Sequence, residues 1–323
     1  MRREPNVSRV PVSVRRVPGT FYILIIMISL ASITIPGFGT VSNLLNILLQ
    51  GSFLAIVACG ATLAIISSGI DLSVGTVLSL SGVVTGLALH AGIPIALAIL
   101  SGVLTGLICG IITGSLVAFV GLEPFIATFG MMSMAQGLGL VLSNGASIPG
   151  FQESFRWFGE GVVWKVPVPL IIALVIVACI WWLLRHTRLG LYIYAIGGSE
   201  EVAGWSGIEV GRCKLALYSI SGCLAGIAGV LLAARMNSGH PTVGVGWEMD
   251  AIASVVIGGT PLTGGRGGVI GTMVGVAIVS VLRNILNMLR LSSPWQITLI
   301  GAIVVIAIGL DILLRRWRLA LEG

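Results

Sequence analysis

Charge is what this sequence has least of: only 9% of its 323 residues are Asp, Glu, Lys or Arg. Lysine occurs twice, as Lys165 and Lys214, and neither follows a glycine, so the Gly-Lys step of a phosphate-cradling loop is missing. The chain therefore cannot hold ATP by that device. There is no H-E-x-x-H, and the three histidines, His90, His186 and His240, stand far apart, which leaves metal hydrolysis and a Ser/His/Asp relay without residues to build on. The five cysteines, Cys59, Cys109, Cys179, Cys213 and Cys223, form no C-x-x-C pair and read as small apolar residues rather than metal or redox ligands. No small-x-small site lies between Leu30 and Pro36, so the first apolar run reads as an uncleaved span and not as a removed signal.

What the chain has in excess is apolar surface: 56% hydrophobic residues and a mean hydropathy of +1.07, with 45 glycines. Apolar runs of about 17–25 residues recur along it, each long enough to cross ~30 Å of hydrocarbon as a helix. A closed barrel would show ~10-residue alternating segments instead, so the expected fold is all-α, a polytopic integral-membrane bundle. Candidate spans cover 20–36, 43–67, 72–91, 94–119, 125–142, 167–185, 213–236, 249–263, 268–289 and 295–314, about ten crossings. The flanking segments 1–19 and 315–323 are expected as cytoplasmic tails.

The net charge of +6 is clustered. Arg2, Arg3, Arg9, Arg15 and Arg16 precede the first run, Arg185, Arg188, Arg212 and Lys214 flank the middle of the chain, and Arg315, Arg316 and Arg318 end it. By the positive-inside tendency all three clusters face the cytoplasm, and an even number of crossings separates each from the next. Both termini and a loop over 186–212 are then cytoplasmic; the loops 143–166 and 237–248, rich in Gly, Pro and aromatics, are external. If 249–263 only re-entered the membrane, the parity would break at the C-terminus.

A weak internal echo at an offset of 190 residues lays "SGIDLSVG" (68–75) over "GGTPLTGG" (258–265), both expected to join spans on the cytoplasmic side. The acidic residues near spans, Asp71, Glu123, Glu248 and Asp250, fall at span ends, which gives an ion-driven relay little to use. Asp71 and its neighbour Ser73 read either as turn residues or as part of a transport path. Neutral amides are placed better: Asn43, Asn46 and Gln50 share one helical face, Gln136 sits in a methionine-rich run, and Asn284 and Asn287 repeat the i, i+3 spacing. Such groups suit a hydroxyl-rich, uncharged solute, and equally suit helix-to-helix hydrogen bonds.

Between two apolar runs lies "YAIGGSEEVAGWSGIEVGRCK" (194–214), with three of the twelve acidic residues. Ser199 can cap a short helix, Glu200 and Glu201 suit its positive end, and Gly207 can close it in a left-handed turn. Val202 and Trp205 then form an apolar knob. A helix of one or two turns is not stable alone, so it docks on something: its own bundle, the lipid surface or a partner.

The same residues, extended to "TRLGLYIYAIGGSEEVAGWSGIEVGRCKLALYSISGCLAGIAGVL", resemble the cytoplasmic loop and next span of the permease subunits of ribose-type ABC importers. "LAIISSGIDLSVGTVLSLSG" and "MDAIASVVIGGTPLTGGRGGVIGTMVGV" are similar to that family's other signatures, in the same order, over roughly 40–314. The resemblance implies a non-enzymatic permease in the bacterial inner membrane that moves a monosaccharide or sugar alcohol, of the ribose, xylose, arabinose or galactose class, by alternating access. It implies no cofactor of its own, since ATP is bound by a separate ABC ATP-binding subunit. It also implies a periplasmic sugar-binding protein, a second identical or related permease, the lipid bilayer, and no nucleic acid as partners. Glu200, Glu201, Ala203, Trp205, Ser206 and Gly207 fall on the ATPase-coupling helix. The chain departs from the family at Ser199 (Asn), Val202 (Ala), Gly204 (usually Arg) and Trp205 (usually Leu). Candidate pathway or gate residues are Asn43, Asn46, Gln50, Asp71, Ser73, Gln136, Thr263 and Asn284. The alternative is an ion-coupled secondary carrier or facilitator for a small polar solute, which would work without ATP; a membrane enzyme has no acid/base or metal cluster to stand on.

Overall fold

The computed structural model describes residues 19–292, together with 295, 296, 298, 299, 301, 302 and 309. The chain runs through α1 (Gly19–Thr34), α2 (Val41–Ile66), α3 (Val74–His90), α4 (Ile95–Ser115, continued by a π-helical turn to Val120) and α5 (Pro124–Leu142). It continues through β1 (Ile148–Pro149), α6 (Glu153–Glu160), β2 (Val162–Val163), β3 (Val166–Pro167), α7 (Val168–His186), α8 (Arg188–Gly198) and α9 (Glu200–Trp205). The last elements are α10 (Val210–Met236), β4 (Ser238–Gly239), α11 (Trp247–Ile257) and α12 (Val269–Met288).

Six of these helices, α2, α4 with its continuation, α5, α7, α10 and α12, are long and apolar enough to cross a membrane; α1 and α3 are shorter apolar helices. Two expectations change. The span expected over 249–263 is α11, whose 11 residues rise ~16 Å, about half the hydrocarbon thickness. Gly258, Gly259 and Pro261 end it and carry the chain into α12 without a helix. The 186–212 segment, expected to carry one helix of one or two turns, holds two helices: α9, where that helix was expected, and α8 before it. Most of the span expected over 295–314, nearly all of the 1–19 tail and the 315–323 tail lie outside the described residues.

α2 is the central helix, buried along most of its length and flanked by α7, α10, α11 and α12. α4, α5 and α7 form the rim and show one apolar face outward, as in Leu97, Leu100, Leu104, Ile108 and Ile111 on α4. Lipid tails are as apolar as leucine, so helices inside a bilayer must be held by close backbone packing and by hydrogen bonds. The α4–α10 crossing shows the first device. Gly102, Gly106, Gly110 and Gly114, four residues apart, face α10, and a side-chain carbon on Gly106 or Gly222 would overlap the other's carbonyl oxygen.

Helix ends sort onto two faces. One face holds the end of α2, α8, α9, the start of α10 and the 258–268 connection, joined by bonds such as Gly265 N to Ile66 O at 2.8 Å. The opposite face holds α6 and two small ribbons. β1 pairs antiparallel with β4, Ile148 opposite Gly239, and Phe151 N donates to Asn237 Oδ1 at 2.8 Å, which ties the 143–167 connection to the end of α10. β2 and β3 form a hairpin whose tip residues, Trp164 and Lys165, both have positive φ, as a tight two-residue turn requires. The two loops expected to be external thus share the face opposite α9.

Replacing Gly222 by Leu should overpack the α4–α10 seam by more than the ~1–3 kcal/mol of an ordinary core insertion, because backbone cannot yield as a side chain does. In detergent the variant should lose its monodisperse elution peak, whereas Gly130→Leu, on α5 in open space, should keep it. Equal behaviour of the two variants would contradict the seam.

Candidate functional site

α9 forms where its sequence directs. Ser199 accepts a hydrogen bond from Val202 N at 3.3 Å, Glu200 and Glu201 occupy the first turn, and Gly207 turns the chain at φ +83°. Ile208 N then reaches back to Ala203 O at 3.1 Å, closing the C-terminus. Ala203 is buried, while Val202 and Trp205 are exposed, Trp205 by 78%. Lys214, on the first turn of α10, holds Glu200 with Nζ 2.6 Å from Oε1. Glu209 and Arg212 pair at 2.5 Å at the outer edge of the same turn.

The feature without precedent in the sequence reading is α8. Thr187 caps it by accepting from Gly190 N at 3.2 Å, and Gly190, Ile193, Ile196 and Gly197 make its buried side. At its end Gly197 fits against the last carbonyl of α2: a side-chain carbon there would overlap Ile66 O and Gly265 N. Ser68 Oγ spans the junction, 3.1 Å from Gly197 O and 2.8 Å from Thr263 O. Tyr194 Oη donates to Gly267 O at 2.9 Å, and burial pushes its phenol above the usual range, so it stays a donor. The two echo loops, 68–75 and 258–265, therefore meet each other and the segment that leads into α9. Beside them a cavity of about 430 Å3 is lined by Ser67, Gly69, Glu123, Glu200, Lys214 and Tyr218.

Asp71 lies deeper and is buried. Its Oδ1 accepts from Ser73 N at 3.0 Å and from Ser73 Oγ at 2.7 Å, a local Asx turn, while Oδ2 accepts from Ser221 Oγ of α10 at 2.7 Å. Among the described residues no cation pairs with it, so three donors carry the carboxylate. Thr128 Oγ1 of α5 binds Ile70 O at 3.2 Å, so the 67–73 break is sewn to two helices.

The remaining candidates lie elsewhere. Asn43 and Asn284 exchange a pair of amide hydrogen bonds, 3.0 and 2.8 Å, between α2 and α12 near the opposite face. Gln50 Nε2 donates to Asn46 Oδ1 at 3.2 Å on α2. Gln136 is half-buried on α5, apart from both groups, and Thr263 is exposed in the connection after α11. The structure thus gathers Asn43, Asn46, Gln50 and Asn284 at one end, Asp71 and Ser73 in the interior, and Thr263 beside α8. It also adds a pair that sequence reading passed over: Arg283 on α12 bonds Asp250 on α11. The signal was available, an arginine inside the apolar run 268–289.

Residues 43–308 match the family described as branched-chain amino acid transport system / permease component. The chain belongs to this permease family. It is 42% identical over 296 residues to the ribose import permease protein RbsC of Escherichia coli K12, covering 89% of this chain and 91% of that one. It is 43% identical over 295 residues to the ribose import permease protein RbsC of Bacillus subtilis, covering 91% and 92%. To the D-allose transport system permease protein AlsC of Escherichia coli K12 it is 39% identical over 300 residues, 92% of each chain. No solved structure matches. These relatives are transport components and not enzymes, so the permease is one too, a multi-pass protein of the ribose-type ABC importers.

For the permease, Asn43→Ala should lower thermal stability, because it leaves the buried Asn284 amide without its partner; Asn284→Ala should cost less, because Asn43 is half-buried and still donates to Phe38 O at 2.9 Å. The double variant should lose less than the sum, with a coupling energy of about 1 kcal/mol from a double-mutant cycle in detergent. Strict additivity would show that the two amides do not depend on each other.

Proposed function

We propose that this permease is the membrane-spanning subunit through which an ATP-driven importer moves a monosaccharide across the bacterial inner membrane by alternating access. In this reading α9 docks on a separate ATP-binding subunit, which supplies the ATP chemistry the chain lacks. A periplasmic sugar-binding protein delivers the solute to the opposite face, and the pathway is completed by a second copy or a related permease. The α8–α9 pair faces the cytoplasm in this reading, with the positive residues Arg185, Arg188, Arg212 and Lys214 around it. The sugar specificity of the relatives, ribose and allose, supports the monosaccharide class.

The observation that carries the reading is the glycine junction. α9 offers exposed Val202 and Trp205, with Glu200, Glu201, Ser206 and Gly207 around them, beside an apolar groove that includes Leu191 and Ile208. It is joined through Gly198 to Gly197, which has no side chain to cushion its contact with Ile66 O. A displacement of α9 by the ATPase passes at once to the end of α2 and to the 258–268 connection. Those two segments, which include Ser68, Gly69, Thr263 and Gly264, are the cytoplasmic gate in this account. Asp71 and Ser73 hold the inner break of the pathway, and Asn46 and Gln50 lie toward its outer end.

In proteoliposomes carrying the assembled importer, Gly197→Ala should cut sugar uptake by about tenfold while ATP hydrolysis continues, the size of a typical coupling free energy. Gly198→Ala, which meets open space, should not. Unchanged uptake in Gly197→Ala contradicts the junction's role. Uptake by the permease alone, without ATPase subunit or ATP, contradicts the importer reading and favours the carrier.

A further inference from the structure

A second cavity, of about 280 Å3, opens toward the face opposite α9, between α2, α10, α11 and α12. Gln50, Trp247, Asp250, Ser280 and Arg283 line it, with Arg235 at its edge. They lie toward one end of the bundle: Gln50 in the first half of α2, Arg235 in the last turn of α10, Trp247 and Asp250 in the first turn of α11, and Ser280 and Arg283 in the second half of α12.

Its chemistry is selective. Asp250 and Arg283 neutralise each other, so the wall offers a carboxylate acceptor and a guanidinium donor side by side without a strong net field. Arg235 is drawn away toward Glu160, at 4.0 Å. Arg283 Nε is sealed from solvent and has no hydrogen-bond partner among the described residues, so the cavity meets the rest of the half-buried guanidinium. Ser280 is buried, and Gln50 has one amide proton engaged by Asn46 and the rest of its amide free. Trp247, half-buried, gives an apolar plane beside these polar groups. An anion would meet Asp250 and a cation Arg283. A neutral molecule with hydroxyls on its edge and C–H groups on its faces fits both kinds of wall. The volume lies just below the usual range of drug-sized pockets, which suits a single small solute.

We propose that this cavity is a transit site that receives one neutral monosaccharide after release at the outer face, with Asp250 and Arg283 bracketing its hydroxyls and Trp247 covering its ring. The proposal rests on the importer reading and names the site within that pathway. α11, a half-length helix ending at Gly258, then links this outer site to the 258–268 connection at the inner gate.

The test uses the complete importer in proteoliposomes with ribose, xylose, arabinose, galactose, allose and a sugar alcohol as probes. Gln50→Ala and Asp250→Asn should each lower sugar moved per ATP hydrolysed by about tenfold, the effect of one lost hydrogen bond to a charged or well-placed group. Because Asp250→Asn leaves Arg283 poorly paired and can impair folding, a second measurement stands beside it. A Ser280→Cys variant should be labelled by a small methanethiosulfonate reagent, and a saturating transported sugar should slow that labelling at least about fivefold. Wild-type stoichiometry in Gln50→Ala together with labelling indifferent to sugar overturns the transit site while leaving the importer reading intact. Absence of ATP-driven uptake by the wild-type importer for every probe overturns that reading itself, and the site with it.

Discussion

Inside a bilayer an apolar side chain gains almost nothing by leaving lipid for a neighbouring helix, so this bundle is held by what lipid cannot offer, close backbone contact and hydrogen bonds. Glycine supplies the first. At the α4–α10 crossing it lets two long helices touch along several turns, and at the end of α8 the same device sets Gly197 against the last carbonyl of α2. The two contacts use one constraint for different ends. The seam fixes a rim helix to a central one; the junction binds a surface segment to the interior.

Hydrogen bonds supply the second. They gather at the break over 67–73, where Asp71 is held by Ser73 and Ser221, and between two unbroken helices, α2 and α12, where Asn43 and Asn284 bond twice. At the 67–73 break backbone groups have lost their helical partners, and in lipid they must be satisfied within the protein. Rigid helices with polar, glycine-rich breaks at their ends are suited to moving as blocks. Coupling travels through such breaks only if nothing compressible lies between the blocks, which is the condition that Gly197 meets.

Much of this was legible because it is local. Ser199, Glu200, Glu201 and Gly207 specify α9 within nine residues, since capping depends on near neighbours. The long spans announce themselves by length alone. Two departures have a physical cause. α8 was hidden because "RLGLYIYAIGG" is apolar nearly all round, so the side that packs on α2 and α7 does not stand out, and its paired glycines argue against helix until Gly197 is seen in contact. α11 was overextended because apolarity continues past Ile257 while the helix stops at Gly258. The glycines spaced by four on α4 stand in the sequence, but their partner helix does not follow from it. The Arg283–Asp250 pair was half visible: Arg283 stands out inside an apolar run, but only the tertiary fold brings Asp250 to it.

The central claim is that α9, the end of α2 and the 258–268 connection move as one body. It is tested most directly by electron–electron distance measurements on the assembled importer with spin labels at Trp205 and Leu262, both exposed, and a second pair at Trp205 and Trp164. The account predicts that on adding ATP the Trp205–Leu262 distance stays fixed while the Trp205–Trp164 distance, taken between opposite faces, changes. A Trp205–Leu262 distance that shifts as much as the second pair would contradict it.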